Sequence, residues 1–101
     1  MPFIIENQEQ YLDYLDRHGV GDNDTVPGAT PRSYLSYLRA ATKILNCSIS
    51  AQLFPNLSPA DFDAVCDRVK YDQQHAQYAS GTRRNAISAL RHYFDMVAGN
   101  H

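Results

Sequence analysis

The sequence predicts an all-α fold, a compact bundle of four main helices. Apolar residues recur at three- and four-residue spacing in four separate segments. Two of these segments open with a hydroxyl residue followed by proline, Thr30-Pro31 and Ser58-Pro59, which is how a capped helix begins. No segment alternates apolar and polar residues as a strand with hairpin turns does, and Ile4-Ile5 is too short to count as one.

The first helix is predicted over residues 6–18. Ile5, Gln8, Leu12 and Leu15 fall near one face, with Tyr11 and Tyr14 beside it. Gly19 can adopt the left-handed conformation that ends a helix. Residues 19–29 hold Gly21, Asp22, Asn23, Asp24, Pro27 and Gly28 and read as a turn-rich loop. The second helix is predicted over residues 30–46. Thr30 caps it, and Pro31 sits at the first helical position, where a missing N–H costs nothing. Tyr34, Leu35, Leu38, Ala41, Ile44 and Leu45 form its apolar stripe, Arg32, Arg39 and Lys43 the opposite face, and Asn46 its stop. Residues 47–57 carry Ile49, Leu53, Phe54 and Leu57. They read as a packed connection around one short helical turn, in which Pro55 blocks a longer helix.

The third helix is predicted over residues 58–72. Ser58 caps it, Pro59 follows, and the Asp61 carboxylate can bond back to the cap residue while suiting the positive helix N-terminus. Phe62, Val65, Cys66 and Val69 form the buried stripe, with Asp63, Asp67, Arg68 and Asp72 facing water. The run Gln73 to Gln77 is a loop or a frayed extension. The fourth helix is predicted over residues 81–98, with Ser80 as cap and Gly99 as stop. Ala86, Ile87, Leu90, Phe94 and Val97 make its stripe, and Tyr93 lies at the edge. The main core residues are then Leu12, Leu15, Leu35, Leu38, Ile44, Phe62, Val65, Val69, Ile87, Leu90 and Phe94. The seven tyrosines are expected mostly at the core edge, with their hydroxyls in water.

The length, 101 residues, fits a single helical domain in which residues 1–29 supply an acidic helix and loop and residues 30–98 the other helices. With 44% hydrophobic residues the chain does not belong to the disordered class, and it can bury a core without metal or disulfide. No apolar stretch approaches the ~20 residues that span a bilayer. Met1 to Glu6 lacks the basic and long apolar regions of a signal peptide, so a cytoplasmic location is expected. Cys47 and Cys66 then read as reduced thiols. A zinc site would need both cysteines and two of His18, His75, His92 and His101, and no two of these have the close spacing of a ligand pair. No cofactor or small-molecule substrate is expected.

The catalytic signatures are missing too. No P-loop, GxGxxG, GxSxG, HExxH or EF-hand pattern occurs. The acids are scattered along helix faces and the loop, and no histidine is placed as a general base. The chain therefore reads as non-enzymatic.

Charge is more informative by segment than in total. The net charge is −2, with nine basic and eleven acidic residues. Residues 1–29 carry −5, residues 30–54 carry +3 with no acid, residues 55–72 carry −2, and residues 73–101 carry +2. Side by side, the two basic segments would make a positive face.

From residue 30 to 98 the motifs come in a particular order. Thr30-Pro31-Arg32-Ser33-Tyr34-Leu35-Ser36-Tyr37-Leu38 opens one helix, and Leu57-Ser58-Pro59-Ala60-Asp61-Phe62 opens the next. The stretch from Ser80 to Phe94 contains Thr82, Arg83, Leu90, Arg91, Tyr93 and Phe94 in the pattern Ser-x-Thr-Arg…Leu-Arg-x-Tyr-Phe. This series resembles the core-binding domain of tyrosine recombinases, the helical N-terminal module of phage integrases. The resemblance covers about two thirds of the chain and implies SAM-like orthogonal helix packing. It also implies basic helix faces set against the phosphates of duplex DNA. The recombinase catalytic domain is not part of the resemblance, and no tyrosine here takes the nucleophile's role.

Two functions are consistent with these features. In the first, Arg32, Arg39, Lys43, Arg83, Arg84 and Arg91 contact duplex DNA phosphates, weakly and without sequence preference. Arg83 and Arg84 lead, because they lie beside Ser80 and Thr82 at a helix N-terminus, where free amides can also hold a phosphate. Cations there oppose the helix dipole and hint at a nearby anion, for which a phosphate, the acidic segment 1–29 or a partner would serve. In the second, the acidic segment 1–29 and the tyrosines form a surface for a protein partner or a second copy of the chain. Neither involves a membrane.

Overall fold

Helices form where the apolar spacing puts them. A computed structural model, which describes residues 3–17, 31–72 and 80–99, contains α1 (Gln8–Arg17), α2 (Pro31–Leu45), α3 (Pro59–Lys70) and α4 (Ser80–Ala98). A single 3₁₀ turn at Ala51–Leu53 links α2 to α3, and among the described residues there is no strand. The Thr30 cap, the Gly19 stop, the 19–29 loop, the 73–77 run and His18, His75 and His101 lie outside the described residues.

The helix ends follow local chemistry. Asp61 N–H donates to Ser58 Oγ at 3.3 Å, while Asp61 Oδ2 accepts from Ser58 N–H at 3.4 Å and from Asn56 N–H at 2.8 Å. This is the predicted capping box with an added donor. Asn46 ends α2 in the left-handed region at φ 57°, and Cys47 N–H donates back to Thr42 C=O at 3.2 Å, closing the last turn. Gly99 takes the left-handed conformation after α4, at φ 76°, and its own N–H donates to Met96 C=O at 3.3 Å. Ser80 is already the first helical residue of α4 rather than its cap.

α2 and α4 form the centre of the bundle, and α1 and α3 pack on them. Of the expected core, Leu15, Leu35, Leu38, Ile44, Phe62, Val65, Val69, Leu90 and Phe94 are buried, while Leu12 and Ile87 are only half-buried. The inner face of α1 is turned from the expected one: Tyr11 and Leu15 lie fully inside and Gln8 is exposed. Phe54 anchors the connection by packing edge-on against Phe94 and tilted against Phe62, with ring centres 5.0 and 6.4 Å apart.

Three tyrosines depart from expectation. Tyr11, Tyr34 and Tyr93 are buried entirely, hydroxyls included. A buried hydroxyl is tolerable when it finds an acceptor. Tyr11 Oη donates to Ala89 C=O at 2.9 Å, and Tyr93 Oη donates to Glu6 C=O at 2.8 Å. Ile4-Ile5, too short for a strand, still pairs as one parallel bridge with Ile49. Glu6 N–H donates to Ile49 C=O at 2.9 Å, Ile49 N–H to Ile4 C=O at 3.0 Å, and Ile4 N–H to Ser48 Oγ at 3.0 Å. The start of the chain is thereby tied to the connection after α2 and to α4.

Candidate nucleic-acid interface

Helix C-termini leave carbonyls without partners and carry partial negative charge. Two arginines answer that need in this fold. Arg68 Nη2 donates to Leu45 C=O, at the end of α2, at 3.0 Å. Arg83 Nη1 donates to Val69 C=O, at the end of α3, at 2.6 Å. Its Nη2 stands 3.6 Å from Asp72 Oδ2, with the two side chains only 12% and 9% exposed. The ends of α2 and α3 and the start of α4 therefore converge.

This arrangement answers the charge question raised by the sequence. The anion that Arg83 faces is Asp72 together with the C-terminal carbonyl of α3, within the same chain. Asp72, expected to face water, is instead largely enclosed by that pairing.

Around Arg83 lies an open pocket of about 340 Å³, lined by Lys70, Ser80, Arg83, Arg84, Ile87 and Ser88. Lys70 and Arg84 are exposed. Arg91 comes seven residues after Arg84 and so lies on the same face of α4. Its guanidinium stacks over the Phe62 ring, 4.9 Å from the ring centre, with its edges open to solvent. Arg32, Arg39 and Lys43 are exposed on α2, where their spacing of seven and four residues makes one stripe completed by Ser36.

The six predicted residues thus fall into two groups, Arg83, Arg84 and Arg91 on α4 and Arg32, Arg39 and Lys43 on α2. Sequence reading missed Lys70, which belongs to the first group. Its signal was its position in the last turn of a capped helix, hidden because residues 55–72 are net acidic.

Nucleophile chemistry is not prepared among the buried groups. Burial pushes the Cys66 thiol up to about 11, against a smaller opposite pull from Lys70 and Arg91, so it is protonated at neutral pH. Burial also raises Tyr11, and it pushes Tyr93 up to about 12 with help from the Glu6 charge. Cys47 and Cys66 are free thiols. Among the described residues, no three His, Cys, Asp or Glu side chains stand close enough to hold a metal ion. No described helix is long and apolar enough to cross a membrane. No protein-family model, curated protein or solved structure matches this chain.

Proposed function

We propose that this chain is a non-catalytic helical module that holds the phosphates of duplex DNA, as the tyrosine-recombinase core-binding domain that residues 30–98 resemble does. The observation that carries this reading is the pair of exposed cations, Lys70 and Arg84, flanking an open pocket at the start of a 19-residue helix. A phosphate there would meet two exposed cations and the positive end of the helix dipole. The acid nearest to Arg83, Asp72, is already engaged and does not repel it.

The side chains have different roles in this reading. Lys70 and Arg84 reach the phosphate directly, and Arg91 extends the contact along α4. Arg83 is the scaffold that fixes the end of α3 beneath them. Contacts of this kind position a protein on DNA without reading bases. With a net charge of −2, binding is weak and falls steeply with salt.

Fluorescence anisotropy with a labelled duplex, at low and at moderate salt, tests the reading. The wild type binds at low salt. The Lys70→Gln/Arg84→Gln variant binds more weakly, and its salt dependence is shallower by up to about two phosphate contacts. A wild type that ignores the duplex at low salt, or a variant that binds it equally well, refutes the DNA function. Arg83 is left intact in this test because its loss would disturb the fold.

A further inference from the structure

A second surface, made by residues 3–5 and α2, shares no residue with the pocket at the start of α4. Phe3, Ile4 and Ile5 form one wall of an open groove of about 580 Å³, and Arg39 and Lys43 lie on the α2 side. Phe3 is 42% and Ile4 61% exposed, an unusual placement for side chains of this size. The bonds from Ile4 to Ser48 and Ile49 hold this apolar wall in place. The cationic side is equally well defined. Residues 30–54 contain no acid, and among the described residues no ion pair engages Arg39 or Lys43.

The complement to this surface lies on the same chain. The exposed face of α1 carries Glu9, Asp13 and Asp16. Asp13 pairs with Arg17 at 2.9 Å, whereas no ion pair among the described residues engages Glu9 or Asp16. Glu9 and Asp16 are seven residues apart, as are Arg32 and Arg39. The acidic interval covers about 10 Å of helix and the basic stripe, which runs on to Lys43, about 16 Å, so the basic stripe is long enough to face both acids.

We propose that a second copy of this chain docks here, with α1 of each copy lying along the groove and cationic stripe of the other. Gln8 of α1 lines the same groove as Arg39 and Lys43, so the start of α1, next to Glu9, borders the basic side within one chain. A twofold axis between them makes both contacts at once, as a self-complementary dimer interface requires. Phe3 and Ile4 of both copies then supply an apolar centre, and the charges form the rim. Rim charges of opposite sign set orientation and reject wrong partners more than they add affinity.

The test is sedimentation equilibrium of the full chain over a wide concentration range. The wild type shows a monomer–dimer equilibrium that tightens as salt is lowered. Arg39→Glu/Lys43→Glu and Glu9→Lys/Asp16→Lys each weaken dimerisation by about tenfold or more, because each sets like charges face to face in both contacts. All four positions are exposed, so circular dichroism should show unchanged helicity in both variants. An equimolar mixture of the two variants recovers the dimer, because in the mixed pair every contact again joins opposite charges. A wild type that is monomeric throughout, a variant that dimerises as the wild type does, or a mixture that stays monomeric overturns the proposal. None of these outcomes bears on the duplex-binding test, whose variant leaves this surface intact.

Discussion

The three buried tyrosines present the same side chain in two states of satisfaction. Tyr11 and Tyr93 each donate to a backbone carbonyl, whereas the Tyr34 hydroxyl is buried with no hydrogen-bond partner among the described residues. The Tyr34 ring is held edge-on against Tyr37 and His92, with centres 5.5 and 5.4 Å away. An unpartnered buried hydroxyl costs about 1–3 kcal/mol of desolvation with nothing returned. Tyr34→Phe is therefore expected to be neutral or stabilising, and Tyr93→Phe to cost about 1 kcal/mol, in urea denaturation of the two variants. Equal losses in both would mean that the Tyr34 hydroxyl does have an acceptor. The sequence placed Tyr34 in an apolar stripe and left the hydroxyls in water. Helical spacing reports the direction in which a ring points. It carries no information on whether a carbonyl from a distant helix waits at the end of that ring.

At the scale of an element, the same contrast separates helix starts from helix ends. The Ser58–Asp61 box and the Asn46 stop were legible because each involves residues within five positions of one another. The Arg83 contacts reach back 14 residues to Val69 and 11 to Asp72, beyond any local pattern. Adjacent arginines thus received one reading from the sequence and have different surroundings in the fold. Arg83→Ala removes a charge-assisted bond to the end of α3 and the cation beside the largely enclosed Asp72, a loss of roughly 1.5–3 kcal/mol. Arg84→Ala, at an exposed position, should change stability by no more than about 0.5 kcal/mol. Urea midpoints of the two single variants check this. If they shift together, Arg83 is not the tie between α3 and α4.

For the whole molecule, the all-α class and most of the core were readable because each helix signals its own inner face, whichever neighbour it meets. The grouping of the cations was not readable. It depends on which helix ends converge, and that is decided by contacts such as Arg68 to Leu45, 23 residues apart. The longest of these contacts, Tyr93 to Glu6, spans 87 residues. Such a bond has a bearing on time as well as on stability. The entropy lost in closing a chain segment grows with its length, so contacts between remote residues reward the chain only after nearer ones have formed. The Tyr93–Glu6 bond should therefore be made after the folding barrier has been crossed. Its removal then acts on the rate of leaving the native state rather than of reaching it. In stopped-flow experiments Tyr93→Phe should unfold about fivefold faster than the wild type, the equivalent of about 1 kcal/mol, and refold at the same rate. A slower refolding arm would instead put the meeting of the two chain ends at the start of folding.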